Sequence, residues 1–394
     1  MIGEQLLDSP GAGPRSVPGW VTSITPGPQG AGQAVGFDVT TDRPELFAVQ
    51  PTVSPQGELT YTPATETLGV ATLTVIAVDD GGTANGGADT SDPQSAVVEL
   101  TFDVFVAQPI GGRVSRLDAR TGSTRWATDL TSAALAVDPS GEWLYAATNS
   151  PPSVQVLNAS TGTVTDEIPL PYPTDRMAMT PDGRTALVTH GGDRQVSVVD
   201  LQSRSVVSTL DLDPLPPQFA SATADNRSVL ISLSGRYEVG RFDLETEQVE
   251  EVVKFENRVE RVMAHPIEPL AFVSVSQVNH IGVVDLESGT LAATIDVGPN
   301  PDGIAFSADG AAAYVAIQRD DVVSVIDVAT RTVTANIAVG DLPTDVAVDP
   351  AGLRLYVTTA GDDRLEIVDL AVGEVIFTRP LTSEGPLQVV RIPR

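Results

Sequence analysis

The sequence predicts an all-β protein in two parts, and three observations support this prediction. First, one segment recurs at an almost constant interval along the last three quarters of the chain. Second, the first hundred residues show a different pattern of alternating strands. Third, helix-forming patterns are almost absent. The ends of the recurring segments lie 40, 42, 43, 42, 42 and 42 residues apart, at Asp118, Asn158, Asp200, Asp243, Asp285, Asp327 and Asp369.

Each recurring unit contains four short alternating runs. A large apolar residue stands 13 residues before every end residue, and six residues before that, in all units but the first, lies a turn such as Thr180-Pro-Asp-Gly or Ser307-Ala-Asp-Gly. Such residues favour tight hairpins. A period near 42 with four strands per unit is typical of a β-propeller blade. We therefore predict a seven-bladed β-propeller over residues 104–394.

The first blade lacks an innermost strand of its own. Residues 386–393, Pro-Leu-Gln-Val-Val-Arg-Ile-Pro, align position for position with Pro343-Thr-Asp-Val-Ala-Val-Asp-Pro350. We expect this C-terminal strand to pair beside residues 104–106 and to complete blade 1. Closure of the ring removes exposed sheet edges that would otherwise template aggregation.

Residues 1–103 contain runs rich in Thr and Val, such as Ala71-Thr-Leu-Thr-Val-Ile-Ala-Val, separated by Pro and Gly. This pattern predicts an antiparallel β-sandwich. One Gly-rich stretch places five side chains with oxygen ligands within fourteen residues: Asp79, Asp80, Asn85, Asp89 and Asp92. Calcium accepts many such ligands, so the first four are candidate metal ligands. The alternative is a solvated hairpin whose side chains bond their own backbone.

The composition limits the partners of the chain. The formal net charge is −29, from 52 acidic and 23 basic residues. Such a surface repels phosphate backbones and anionic lipids, so we expect no nucleic-acid partner and no membrane insertion. The absence of cysteine excludes disulfides and a cysteine nucleophile. No signal peptide is recognisable, so either a leader has been removed or the chain is a piece of something longer.

Two families resemble this chain. The strand and turn pattern of Pro301-Asp-Gly-Ile-Ala-Phe-Ser-Ala-Asp-Gly-Ala-Ala-Ala-Tyr-Val-Ala resembles the YVTN repeat of archaeal surface-layer and bacterial surface or periplasmic propellers, over residues 104–394. The motifs Val17-Pro-Gly-Trp20 and Gly57-Glu-Leu-Thr-Tyr-Thr-Pro63 resemble the immunoglobulin-like or cadherin-like repeats of bacterial surface proteins. These resemblances imply an extracellular, cell-surface or periplasmic location.

Candidate binding residues follow from the blade pattern. In a propeller, the loops that lead into the innermost strands share one face with the loops between the second and third strands. Mixed charges on this face could bind a ligand, a cation or a basic loop of a partner, or could form a solvated rim. The candidates for ligand or partner binding are Asp175, Arg176, Glu260, Arg261, Asp302, Asp320, Asp345 and Asp362. Because His265 belongs to the opposite face, the three histidines cannot form a three-histidine metal site.

We expect a secreted or cell-surface binding protein rather than an enzyme. In this interpretation the propeller is an interaction platform for a protein or a cell-surface or matrix component, and the sandwich is a spacer. No Gly-x-Ser-x-Gly elbow is present. The alternative is a lactonase-like hydrolase in which Glu260, Asp302 and Asp345 hold a cation that polarises a carbonyl. A third interpretation makes the chain one segment of a longer adhesin. Apart from calcium, we expect no cofactor.

Overall fold

The computed structural model describes residues 6–8, 13–24, 33–64, 67, 69–81, 89–100, 103–108, 111–118, 122–233, 235–349, 352–381 and 388–391. The chain divides into two compact units, Met1–Phe102 with Arg394, and Asp103–Pro393. Throughout the described ranges the regular elements are β-strands, apart from one 3-10 helix at Pro44–Leu46. None of the described residues belongs to a helix long and apolar enough to cross a membrane. The all-β prediction is confirmed.

Over its described residues, the first unit consists of two small sheets that share one core. Its strands are β1 Leu6–Asp8, β2 Arg15–Val17, β3 Val35–Thr41, β4 Phe47–Val53, β5 Leu59–Pro63, β6 Gly69–Asp79 and β7 Gln94–Leu100. One sheet has the order β1-β7-β6-β3 and the other β2-β5-β4. Alternate residues of β6 are buried, as expected for a strand with one face on a core. Trp20, Leu46 and Leu59 belong to that core.

The second unit consists, in the described residues, of seven four-stranded antiparallel sheets. The first sheet contains β8 Asp103–Gln108, β9 Arg113–Asp118, β10 Thr124–Asp129 and β35 Gln388–Arg391. The next three contain β11 Ser132–Val137, β12 Trp143–Asn149, β13 Pro152–Asn158 and β14 Val164–Pro169; β15 Arg176–Met179, β16 Thr185–His190, β17 Gln195–Asp200 and β18 Ser205–Asp211; and β19 Pro217–Ala222, β20 Ser228–Leu233, β21 Glu238–Asp243 and β22 Gln248–Lys254.

The last three sheets repeat the same arrangement. They contain β23 Val259–Ala264, β24 Leu270–Val275, β25 His280–Asp285 and β26 Thr290–Asp296; β27 Pro301–Phe306, β28 Ala312–Ile317, β29 Val322–Asp327 and β30 Thr332–Ala338; and β31 Pro343–Val348, β32 Arg354–Thr359, β33 Arg364–Asp369 and β34 Glu374–Pro380. The large apolar residue of the repeat lies on the second strand of each sheet, to which β8 corresponds in the first sheet. It is buried in all seven sheets: Phe105, Tyr145, Leu187, Leu230, Phe272, Tyr314 and Tyr356.

The first strands of the sheets surround one axis. β11, β15, β19, β23, β27, β31 and β35 contact one another in this order, and β35 also contacts β11. β35 pairs antiparallel with β8, with Val390 opposite Phe105. The C-terminal strand therefore pairs where the alignment of the repeats placed it. Residues 386, 387, 392 and 393, which the sequence also assigned to this strand, lie outside the described residues.

The residue that closes the repeat caps a turn in the six sheets after the first. The Oδ1 atom of Asp200 accepts hydrogen bonds from the backbone N–H groups of Gln202, at 2.8 Å, and Ser203, at 2.7 Å. Asp285 makes the same two bonds in its own sheet, and Asn158 replaces the carboxylate with an amide oxygen in the same role. The most regular feature of the sequence is thus a structural device that ends the third strand and starts the fourth.

Candidate ligand site at the channel mouth

A channel of about 520 Å³ runs among six of the innermost strands, β11, β15, β19, β23, β27 and β31. The repeat identifies which residues occupy equivalent positions on these strands. Four positions before each turn between the first and second strands, the six strands carry Ala134, Arg176, Phe219, Arg261, Gly303 and Asp345. We call these six residues the mouth ring. The ring contains two cations, one anion and one aromatic side chain.

Arg261 is held in place by two carboxylates from different sheets. Its Nε lies 2.8 Å from Asp302 Oδ1, and its Nη1 lies 2.9 Å from Asp345 Oδ1. Its Nη2 donates to the carbonyl oxygen of Thr344 at 3.0 Å. Burial alone would lower the pKa of Arg261, but the charges of Asp302 and Asp345 outweigh it and raise that pKa. All three nitrogens of this guanidinium are therefore engaged within the protein.

Phe219 lies beside both arginines of the mouth ring. The guanidinium carbon of Arg261 is 4.5 Å from the centre of the phenyl ring, and that of Arg176 is 4.6 Å from it. A guanidinium at this distance is attracted by the ring quadrupole, more strongly where water is excluded. Phe219 therefore fixes two cations against one apolar surface. Candidate residues chosen for charge alone did not include it, although it occupies the repeat position of Arg176 and Arg261.

Arg176 differs from Arg261 in its partners. Its Nη1 donates to the carbonyl oxygens of Asp175, at 2.8 Å, and Ala133, at 3.4 Å. Among the described residues, no carboxylate lies within ion-pair distance of its guanidinium. Burial, followed by the charge of Arg261, lowers the pKa of Arg176. An arginine still remains protonated in proteins, so Arg176 is a half-buried cation for which the described residues of the channel mouth supply no direct counter-ion.

The other predicted site residues lie around this ring. The carboxylate of Asp175 accepts the backbone N–H of Gly191, and Glu260 pairs with Arg258 at 3.0 Å. Asp302 also accepts a hydrogen bond from Gln318 at 2.7 Å. Asp320 is exposed in the turn between β28 and β29. Asp362 pairs with Arg364 at 3.1 Å in the turn between β32 and β33.

None of the three histidines offers a free ring nitrogen to the channel. His190 is fully buried, and its nitrogens lie 2.9 Å from Pro173 O and 2.9 Å from Ser197 Oγ. Burial lowers the pKa of His190. His265 lines the channel, but its Nε2 bonds the carbonyl of Gly310 and its Nδ1 accepts two backbone N–H groups. The third histidine, His280, is not among the residues that line the channel.

The candidate calcium ligands are only partly described. Asp79 Oδ1 accepts the backbone N–H of Gly81 at 2.8 Å, and Asp80 Oδ1 accepts that of Ala34 at 3.0 Å. The backbone of Asp89 accepts the N–H of Asp79 at 2.9 Å, and Asn85 lies outside the described residues. Within the described part of the chain, no group of three or more acidic, His or Cys side chains is arranged to hold a metal ion. Calcium binding stays a prediction.

No protein-family model and no curated protein matches the sequence. Among solved structures, the chain is similar to hydrazine synthase of Kuenenia stuttgartiensis, with a TM-score of 0.55, 19% identity, and coverage of 67% of this chain and 78% of that one. It is also similar to the dihydro-heme d1 dehydrogenase NirN in complex with DHE, with a TM-score of 0.56, 15% identity, and coverage of 71% and 64%. These similarities support the β-propeller.

The comparisons correct our expectation about function. We expected a surface binding platform and no enzyme, but both named neighbours are enzymes with propeller folds. That expectation was wrong because it took the absence of known catalytic motifs as evidence against catalysis, whereas one fold hosts many activities. At identities of 19% and 15% the likeness shows the fold alone, so the reaction has to be argued from the residues.

Proposed function

We propose that the propeller unit is the substrate-binding part of an enzyme that acts on a small carboxylate, and that Arg176 binds the carboxylate at the mouth of the channel. The observation that carries this proposal is the half-buried guanidinium of Arg176 without an ion-pair partner among the described residues. A desolvated charge is costly unless it is paired. A substrate carboxylate would supply the pair, because its two oxygens match the planar fork of a guanidinium.

The neighbours of Arg176 support a small ligand. Arg261 is already bonded to Asp302 and Asp345, so it serves to hold the rim and Phe219 in position. Phe219 and the carbonyl of Asp175 fix the Arg176 side chain before any ligand arrives. Such preorganisation reduces the entropy lost on binding. The channel volume of about 520 Å³ lies within the range of small-molecule sites.

The cation-dependent hydrolase that we considered does not fit this geometry. Its proposed ligands were Glu260, Asp302 and Asp345. The guanidinium of Arg261 lies between Asp302 and Asp345, where the hypothesis placed the metal ion, and Glu260 pairs with Arg258. The carboxylates are therefore neutralised by arginines and do not form an open cation site.

A haem group in the channel does not fit the histidines either. NirN is named as a dehydrogenase of dihydro-heme d1, and histidine is a common ligand of haem iron. Here both ring nitrogens of His190 and His265 are engaged with protein atoms, and His280 does not line the channel. We therefore propose no haem-dependent step for this chain.

The finer family assignments belong to the same proposal. We propose that the seven sheets are seven blades of the YVTN type. Turns related to Thr180-Pro-Asp-Gly, such as Ser307-Ala-Asp-Gly, lie between the first and second strands of the sheets, and Tyr-Val follows at Tyr314 and Tyr356. The two-sheet core of the first unit supports an immunoglobulin-like or cadherin-like domain. The surface-type motifs of both units support an extracytoplasmic location, in the periplasm or outside the cell.

Titration with butyrate, followed by ligand-observed NMR, tests the proposed function. We expect butyrate to bind with a millimolar Kd or better and its neutral isostere butyramide to bind far more weakly. The substitution Arg176→Gln should weaken butyrate binding by roughly 10-fold or more, because a hydrogen bond to a charged group contributes about 1.5–3 kcal/mol. Arg319→Gln is the matched control, since Arg319 is exposed on a turn at the same mouth. Equal binding of butyrate by wild type and Arg176→Gln would refute the proposal.

A further inference from the structure

We infer that the carboxylate bound at Arg176 carries an unbranched apolar tail that enters the channel, so that the substrates are short- to medium-chain monocarboxylates. This inference rests on the proposed function and specifies its substrate class. It starts from the channel wall below the mouth ring. There the side chains change from charged to small and neutral.

The second ring of the channel follows from the same repeat. Two positions before each turn, the six strands carry Ala136, Ala178, Ser221, Met263, Ala305 and Ala347. All six residues line the channel. Four of them are alanines that keep only 7–9% of their surface exposed, and the Ser221 hydroxyl donates to the Met263 sulfur at 3.6 Å. This second ring therefore offers a ligand no charge and little hydrogen bonding.

The charged groups of the wall are confined to one level. Of the described residues that line the channel, only Arg176, Arg261 and Asp345 carry a formal charge, and all three belong to the mouth ring. At the far end stand Pro181, Pro266 and His265, and the ring nitrogens of His265 are bonded to the backbone. A second carboxylate deep in the channel would therefore find no cation among these residues. As far as the described wall residues are concerned, a dicarboxylate lying along the axis would leave its second charge unpaired, which is costly.

The depth of the channel sets the length of the tail. β15 runs from Arg176 to Met179 and Thr180 follows it, so the four residue steps from Arg176 to Thr180 correspond to roughly 13 Å of extended chain. Apolar side chains such as Met177, Ala178 and Val262 contribute to the wall over this depth. A carboxylate head at Arg176 therefore leaves room for an extended alkyl chain. Burial of each methylene should tighten binding about fourfold.

A chain-length series tests the inference. Dissociation constants are measured for acetate, butyrate, hexanoate and octanoate, with hexanamide as the neutral probe. For wild type we expect about a 16-fold gain from butyrate to hexanoate, from two buried methylenes. The heat capacity change on binding should become more negative with each added methylene, since apolar burial has that signature.

Two substitutions that narrow the channel distinguish the contribution of the apolar tail to binding from that of the carboxylate. Ala178→Leu and Ala347→Leu place a larger side chain in the second ring, so hexanoate should lose its advantage while acetate binds as before. Ala292→Leu, at an exposed position of β26, is the matched control and should change neither. Thermal unfolding verifies that each variant is folded, and agreement between the two narrowed variants excludes a local defect.

The outcomes distinguish the two proposals. If acetate, butyrate and hexanoate bind equally and all require Arg176, the substrate-binding proposal stands and the apolar tail is refuted. If hexanoate binds tightly to Arg176→Gln, the channel is an apolar site that does not read the carboxylate, and both proposals fail in their present form. If no carboxylate binds to wild type, the proposed function fails and this inference with it.

Discussion

Replacing Asp345 by Asn should both destabilise the propeller and improve its binding of carboxylates. Asp345 is 6% exposed, and it pairs with Arg261 across two sheets. Removing one partner of a buried ion pair costs about 3–5 kcal/mol. Arg261 keeps its bonds to Asp302 and Thr344, so we expect a smaller loss, about 1.5–3 kcal/mol in the free energy of unfolding.

Calorimetry of the Asp345→Asn variant measures the first effect. The expected loss corresponds to a decrease in Tm of roughly 2–5 °C for a unit of this size. Asp320→Asn is the control, because Asp320 is exposed on a turn at the same mouth and should change stability by no more than about 0.5 kcal/mol.

The affinity for butyrate measures the second effect. Asp345→Asn removes an anion from the mouth ring and releases Nη1 of Arg261 from its ion pair, so butyrate should bind more tightly than to wild type. Asp320→Asn should leave that affinity nearly unchanged. A variant with the stability of wild type and an unaltered butyrate affinity would refute both the ion pair and its place beside the ligand.

Three further predictions concern the frame around the site. Asp200→Ala should cost about 0.5–1.5 kcal/mol because the turn loses its cap, while Asp200→Asn should retain the bonds, as Asn158 does. Since those bonds lower the pKa of Asp200, the wild-type carboxylate contributes stability above about pH 4 that is lost as the pH falls further. Equal acid sensitivity of wild type and the Asn variant would contradict this. Gly162→Ala should destabilise more than Gly352→Ala in urea unfolding: both glycines have a positive φ near 70°, but an added Cβ at 162 would lie 2.5 Å from the Trp126 ring, whereas at 352 it meets nothing within 4 Å. Deleting residues 386–394 should lower the Tm sharply because β8 loses the strand that pairs with it; an unchanged melting curve would show that the closing strand is dispensable.

The repeat in the sequence was sufficient to predict the sheets and the closing strand. Regular turns and the capping residue, such as Asp200 or Asp285, act within a few residues of the chain, so their effect is visible locally. Pairing of the C-terminal strand with β8 follows from the same register, because only one position of the repeat was vacant. Local turn signals, together with the one missing strand of the repeat, thus account for most of the fold.

The site could be predicted only as a set of candidates. Arg176 and Arg261 look alike in sequence, yet one is bonded to two carboxylates and the other to carbonyl oxygens. The difference depends on carboxylates that lie 41 and 84 residues after Arg261 in the chain. The sequence does not show which of these side chains contact one another. Phe219 was missed because we selected for charge. The sequence could not decide whether the protein catalyses a reaction or only binds a ligand, because the fold does not determine the function.

A crystal structure of the chain soaked with butyrate would test the central claim most directly. We predict electron density for the carboxylate at the channel mouth, with its oxygens about 2.7–2.9 Å from the guanidinium nitrogens of Arg176. Absence of that density in Arg176→Gln crystals soaked in the same way would complete the support. Density for butyrate only at exposed arginines such as Arg319, with the channel mouth filled by water, would contradict the claim.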